Sequence, residues 1–469
     1  MRHLRALYSA ALIVAPLSVA DVHAQPTPAA DLRIVGESPD DGFGWQVAPA
    51  GDVDGDGATN LIVGGPSSDA LMAFAGRVYL FQGPYARLYP ASGASSTLST
   101  PTFGDNLGFS VALAGDVNGD GKPDVLMGAR GNDAAGIQAG RAYLFLGPVT
   151  GTTVEDADAV ISGTAFEEIG RTVASAGDLD GDGIDDILLG TDVGGSADEG
   201  RVYVFNGPVS GSLTIGDATA VIHGAVASDG LGASVAAAGD LNGDGFGDIV
   251  VGAPRTIALG GTNGPGRVFV FHGPFKGDVQ AFSAAAILTG ELDNDNFGVA
   301  VSVGDVNGDG VTDVIVGADQ LFRDDGTGKA YVFYGPLAGS ILAADADAIL
   351  RGTAVQDLFG GSVATADVDG DGRSDVIVGA LGSAVTSGRG YVFRGPLSGS
   401  IPAADATFIA RGSSGDELGR SVSAADVDGD GRPEVIFGAT SLANHGSGYV
   451  AVYAYPFPGL AGTGPTAKR

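Results

Sequence analysis

The run Asp178-Leu179-Asp180-Gly181-Asp182-Gly183-Ile184-Asp185-Asp186 carries acidic side chains at its first, third, fifth and ninth positions and glycine at its fourth and sixth. Glycine there admits the left-handed backbone that a tight loop needs, and both Asp and Gly are favoured in turns. The same nine-residue pattern begins again at Asp52, Asp116, Asp240, Asp305, Asp367 and Asp426, at intervals of 59 to 65 residues. Recurrence at a near-fixed period marks a repeat architecture, so the loop defines a unit rather than an isolated turn.

Outward from the loop, each unit has the same neighbours. Before it lies a stretch such as Leu107-Gly108-Phe109-Ser110-Val111-Ala112 or Phe359-Gly360-Gly361-Ser362-Val363-Ala364, and after it a run such as Asp313-Val314-Ile315-Val316-Gly317-Ala318. Further on comes Arg201-Val202-Tyr203-Val204-Phe205-Asn206-Gly207-Pro208, matched by Arg77 to Pro84, Arg141 to Pro148, Arg267 to Pro274, Lys329 to Pro336 and Arg389 to Pro396. A last run ends in Gly, as in Ala159-Val160-Ile161-Ser162-Gly163 and Ala348-Ile349-Leu350-Arg351-Gly352. Short β-branched and aromatic runs bounded by Gly, Pro and Asp read as strands. Four short strands per unit read as a propeller blade.

The treatment of the ends separates a closed ring from an open stack. The seventh unit stops after its third strand, Gly448-Tyr449-Val450-Ala451-Val452-Tyr453, whereas Asp31-Leu32-Arg33-Ile34-Val35-Gly36 precedes the first unit and resembles a fourth strand. Pairing the two closes the ring and removes exposed strand edges. The expected fold is therefore all-β: a seven-bladed β-propeller of four-stranded blades over residues 31–457, the N-terminal strand completing the last blade. The fourth strand of the first blade has to come from Ala94 to Pro101, which fits the pattern least well.

Composition agrees and excludes other classes. With 80 Gly in 469 residues, a fold of long helices is disfavoured, and 44% hydrophobic residues argue against disorder. The 24 basic against 56 acidic residues give a net charge of −32. That charge repels nucleic acid and anionic membrane surfaces and makes cations the natural partners. The absence of Cys removes disulfides, thiolate metal sites and Cys nucleophiles. Arg2 and Arg5 before the apolar run Ala6 to Ala20, then Val22-His23-Ala24, read as a signal peptide over residues 1–24, followed by a linker over 25–30. A Gly/Pro-rich tail is expected at 458–469, and no later apolar run is long enough to span a membrane, so an exported protein is expected.

Carboxylates packed into nine residues repel one another unless a cation sits among them, and Ca2+ takes six to eight oxygens of this kind. The candidate ligands are Asp52, Asp54, Asp56 and Asn60 in the first loop, and Asp116, Asn118, Asp120 and Asp124 in the second. The third has Asp178, Asp180, Asp182 and Asp186, and the fourth Asp240, Asn242, Asp244 and Asp248. Asp305, Asn307, Asp309 and Asp313 follow in the fifth, then Asp367, Asp369, Asp371 and Asp375, and finally Asp426, Asp428, Asp430 and Glu434. Up to seven Ca2+ are expected, with a backbone carbonyl from the seventh position of each loop. Mg2+ is disfavoured because it keeps a small octahedral shell with several waters. The loop starts like an EF-hand but lacks Glu at position 12 and is flanked by strands.

Phe43-Gly44 or Phe297-Gly298 before the loop and Gly252-Ala253-Pro254 after the next strand resemble the FG-GAP repeat of integrin α-subunit β-propellers. The resemblance covers residues 31–457 and implies the propeller, its Ca2+ loops and a ligand face opposite them. The chain departs from the pattern where Leu or Ile replaces Phe, where Asn60 replaces the last acid, and in carrying more acid loops. The ligand face is expected to include Met72, Phe74, Arg130, Asp192, Arg255, Leu321, Phe322 and Arg323, from loops that differ between units. These features imply a secreted, non-catalytic adhesion or ligand-binding module with a protein or glycan partner. The alternatives are a lectin-like carbohydrate binder and a secreted hydrolase. Outside the leader, His223, His272 and His445 occupy non-equivalent positions and form no catalytic constellation in the sequence. Trp45, beside a repeat glycine, is expected in the core.

Overall fold

A computed structural model describes residues 30–457 except 69–72, 84, 86, 87, 196, 256–263, 324 and 383–386. The leader, most of the linker, the C-terminal tail and Met72 lie outside the described residues. The chain forms seven sheets arranged as blades, in each of which four antiparallel strands run outward from an inner strand. The second blade is typical: Leu107–Gly115 pairs with Asp124–Ala129, that with Arg141–Phe145, and that with Ala159–Ser162. The last blade is built from Leu418–Ala425, Glu434–Ala439 and Tyr449–Tyr453, and Leu32–Val35 completes it. Leu32 pairs with Val452 and Val35 with Tyr449, so the ring closes as the sequence predicts. The first blade takes Ser96–Ser99 as its outer strand.

Blades of four strands are only part of the architecture. In five sheets a fifth strand, drawn from the next unit after its third strand, pairs parallel to the outer strand. Gly211–Thr214 lies along Ala159–Ser162 in this way, and Leu88–Pro90 lies along Leu32–Val35 across the closure. These added strands cover edges that a four-stranded blade leaves open. They are short and mostly exposed, so they carry little of the apolar signal from which strands are read.

The core lies between blades. Each second strand is buried along its whole length, as in Asp186–Thr191 and Asp313–Ala318, because neighbouring blades cover both of its faces. Aromatic rings from the first and third strands fill the gaps; Phe359 meets Tyr391 edge-on at 5.2 Å. Close approach depends on glycine. A Cβ on Gly252 would lie 2.1 Å from the Gly298 carbonyl oxygen of the next blade, and one on Gly317 would lie 2.0 Å from that of Gly360. The glycine of one repeat phrase thus packs on the glycine of the next, including Gly438 on Gly44 across the closure.

Candidate functional site

Two rims flank the ring. Each acid loop joins the first strand to the second, so all seven lie on the same rim. The glycine that follows each third strand reaches that rim too: Gly147 N donates to Asp124 Oδ1 at 2.9 Å and Gly335 N to Asp313 Oδ1 at 2.9 Å. The opposite rim carries the connections into the first strand and out of the second.

Within each acid loop the first aspartate organises the backbone. Asp240 accepts from Gly243 N at 2.7 Å, Asp244 N at 3.1 Å and Gly245 N at 2.8 Å. The Gly245 bond is the main reason its carboxyl lies below the usual range. The ninth residue is different in kind. Asp124, Asp186, Asp248, Asp313 and Asp375 are fully buried, and each takes one amide from the second loop residue and one from the glycine after the third strand. Burial outweighs those bonds, pushing Asp124 and Asp186 up to about 6 and Asp375 and Glu434 up to about 7.

Four loops bring three acid oxygens within 4.8 Å of one another: Asp52, Asp54 and Asp56; Asp178, Asp180 and Asp186; Asp367, Asp369 and Asp371; and Asp426, Asp428 and Glu434. Hard oxygen donors at that spacing fit a divalent cation. Asp182, Asp375 and Asp430 fall outside those groups. The loops beginning at Asp116, Asp240 and Asp305 form no such acid trio among the described residues, because an amide holds their third position. There Asn242 Nδ2 donates to Asp244 and Asn307 Nδ2 to Asp309, both at 2.9 Å. Asn60 accepts from Val53 N at 2.8 Å, while its buried Nδ2 has no partner among the described residues.

One contributor was not anticipated. In three blades the residue before the Gly-Pro pair reaches into the loop of its own blade. Asn206 donates to Asp180, His272 stands 4.0 Å from Asp248, and Arg394 pairs with Asp369 and lies 3.7 Å from Asp371. The signal was present in the sequence, since the position directly precedes a Gly-Pro pair in every unit but the last.

The opposite rim holds a second ring of acids, also unanticipated: Asp41, Asp105, Glu167, Asp229, Asp295, Asp357 and Asp416, all buried. Each stands two residues before the Phe-Gly, Leu-Gly or Ile-Gly pair of its unit. These carboxylates tie down the connections between blades: Asp295 accepts from Leu292 N and Gln320 Nε2 at 2.9 Å, and Asp357 pairs with Arg389 at 3.3 Å. Burial raises the pKa of Asp105, Asp229, Asp295 and Asp357.

Inside this rim a cavity of about 710 Å3 opens into the central channel. Its wall is set by the residue after each such pair: Trp45, Phe109, Arg171, Ala233, Val299, Gly361 and Arg420. Four of these, on contiguous blades, are planar. Arg420 stacks over Trp45 at 3.6 Å, Trp45 meets Phe109 at 5.2 Å, and Arg171 lies 5.8 Å from the Phe109 ring. Trp45 is therefore half-buried in the channel wall rather than in the core, since its strand position faces the axis where no neighbouring blade covers it. The cavity also takes Asp192, Arg255, Leu321 and Phe322 from the expected ligand face. Leu321, Phe322 and Phe74 are about half exposed, whereas Asp192 is buried between Arg171 and Arg255. Arg130 pairs with Glu168 at 3.1 Å and Arg323 with Asp325 at 3.1 Å. His223 and His445 sit apart, 2.9 Å from Asp278 and Asp40 respectively.

Comparison with known proteins agrees with this geometry. The FG-GAP repeat profile matches residues 231–271 and 297–333, and the FG-GAP-like repeat profile matches 116–189 and 367–437. Integrin alpha-5 of Xenopus laevis is 34% identical over 224 residues, covering 45% of this chain and 20% of the relative. Integrin alpha-PS2 of Drosophila melanogaster is 33% identical over 258 residues, 50% of this chain and 17% of the relative. A phosphatidylinositol-glycan-specific phospholipase D of Bos taurus is 36% identical over 151 residues, 30% of this chain and 17% of that protein. The chain thus spans about a fifth of the length of the curated relatives it matches. No helix among the described residues is long and apolar enough to cross a membrane. With the repeat phrase, its glycine contacts and the closed ring in place, the chain carries FG-GAP repeats and forms a seven-bladed β-propeller similar in sequence to integrin alpha subunits.

Proposed function

We propose that the protein is an exported adhesion or ligand-binding module without catalytic activity, stabilised by Ca2+ in its acid loops and binding a macromolecular ligand on the opposite rim. The observation that carries this reading is the division of chemistry between the rims. One repeats a single acidic loop seven times, and the other carries unlike connections around a cavity. Repetition suits a structural cation, and variation on a rigid scaffold suits recognition. The similarity to integrin alpha subunits supports the same assignment.

In this reading residues 1–24 are removed as a signal peptide, 25–30 link the leader to the ring, 31–457 form the propeller and 458–469 are a tail. Ca2+ is held first by the acid trios of the loops beginning at Asp52, Asp178 and Asp426, and more weakly by the trio at Asp367, where Arg394 competes. The three loops with an amide at the third position keep the same hard-oxygen character, and a cation there displaces the Asn242 and Asn307 amide bonds. The test is binding of the purified mature chain to protein and cell-surface arrays beside a glycan array, in Ca2+ and in chelator. Binding to a protein target that free sugars do not compete away is expected. A signal confined to glycans contradicts the protein-ligand reading.

A further inference from the structure

We propose that the cavity at the channel mouth binds a carboxylate carried on an apolar peptide segment, with Arg420 as its anchor. The proposal rests on the rim opposite the acid loops being the ligand face, and it names the chemistry that face selects.

The wall ring is lopsided. Arg420, Trp45, Phe109 and Arg171 fill one side, and Ala233, Val299 and Gly361 leave the other open. Of the cations lining it, two are already paired: Arg171 and Arg255 both engage Asp192, and Arg171 also lies 3.1 Å from Glu168. Arg420 differs. Its guanidinium lies flat on Trp45 and makes no hydrogen bond or ion pair among the described residues. The acids that sense its charge are bonded elsewhere, each at one oxygen, and form no ion pair with it: Glu417 Oε2 accepts from Thr440, and Asp319 Oδ1 accepts from Asn296 Nδ2 at 2.9 Å and Leu321 N at 3.0 Å. Desolvation of this guanidinium disfavours its charged form, in line with a cation short of partners. A carboxylate supplies the two parallel acceptors that a guanidinium fork matches, and stacking on an indole leaves the fork's edge free to take them.

The remaining wall selects what carries the carboxylate. The hydroxyls next along the inner strands are consumed in joining blades: Thr172 donates to Ala233 O at 3.1 Å, Ser234 to Gly298 O at 2.8 Å, Ser362 to Gly419 O at 2.9 Å and Ser421 to Gly44 O at 3.1 Å. The valines that follow, among them Val173, Val235, Val301 and Val363, line the cavity as well. A sugar acid brings several hydroxyls, for which the walls offer few partners beyond the Gln46 amide, whereas an acidic side chain between apolar residues satisfies both the cation and the walls. A net charge of −32 repels small anions from the molecule as a whole, so the apolar stem has to contribute much of the affinity.

Trp45 is the single Trp of the chain, so its emission reports on this cavity alone. The full mature chain, in millimolar Ca2+, is titrated with acetyl-Leu-Glu-Phe-amide, its Gln counterpart, sodium acetate and a glucuronate disaccharide. The Glu peptide is expected to change Trp45 emission saturably and to bind at least about tenfold more tightly than the Gln peptide. Acetate is expected to bind far more weakly than either. In Arg420→Gln the two peptides become equal, and in Arg420→Lys a reduced preference for Glu persists. Equal affinities in the unaltered protein, no emission change with either peptide, or a response to the disaccharide alone overturns the proposal. The peptide pair tests it without relying on any variant to fold. If the peptides fail while the chain still captures a protein target on the rim opposite the acid loops, only this assignment falls; if both fail, the ligand-face reading falls with it.

Discussion

Arg394 is the residue that most alters an acid loop from outside it. Its guanidinium pairs with Asp369 and approaches Asp371, two of the three acids that converge in the sixth loop. A fixed cation competes with a bound one, so the sixth loop is predicted to have weak cation affinity. Arg394→Ala is expected to strengthen binding at one site per chain about tenfold, read by calorimetry against the unaltered protein; unchanged binding contradicts the competition. The ninth-position acids make a pH prediction. Asp124 and Asp186 at about 6, and Asp375 and Glu434 at about 7, lie above their unfolded values near 4, so the metal-free fold favours their protonated forms. That contribution is full below the unfolded values and is lost as pH rises through about 6 to 7. In chelator, Tm is expected to fall between about pH 5 and pH 8. Saturating Ca2+ should flatten or reverse the trend, because the ionised carboxylates bind it. A chelated Tm that rises across this window contradicts the assignment. At this scale the sequence was uneven in what it revealed. The acid loops declared themselves because three or four acids recur at fixed positions. Arg394 and Arg420 did not, because their roles arise from packing beside a loop and around an axis that exist only in the folded ring.

Between elements, the controlling contact is glycine on glycine. The Gly of each second strand lies against the carbonyl of the Gly that opens the next blade, with no room for a methyl group. Gly252→Ala and Gly379→Ala are each predicted to cost roughly 1 to 3 kcal/mol through overpacking. Gly216→Ala, whose added Cβ meets nothing closer than 3.4 Å, should stay within about 0.5 kcal/mol. Denaturant unfolding measures all three, and equal losses at the three positions contradict the account. Strand existence was legible because the second and third strands are continuous apolar runs buried on both faces. The fifth strands were not. Gly277–Gln280 and Gly339–Leu342 are four residues each and largely exposed, and their pairing depends on where the preceding blade ends in space.

For the whole molecule, closure and charge act against each other. Pairing of Leu32–Val35 with Tyr449–Tyr453 joins the ends of the ring, and the mismatched termini of the repeat made that pairing legible before any coordinates. The full chain carries a net charge of −32, with seven acid loops crowded on one rim of the ring. Extracellular Ca2+ sites bind with dissociation constants of roughly 0.1 to 1 mM, so each contributes about 0.4 to 1.4 kcal/mol at about 1 mM Ca2+. Seven independent sites sum to roughly 3 to 10 kcal/mol, comparable with the whole stability of a typical domain. The most direct measurement is therefore a Ca2+ titration of the purified mature protein in which bound metal and Tm are followed together. Several Ca2+ per chain, with Tm rising in step with occupancy, are predicted. No binding at millimolar Ca2+, or binding that leaves Tm unmoved, contradicts the claim that cations in the acid loops hold this propeller together.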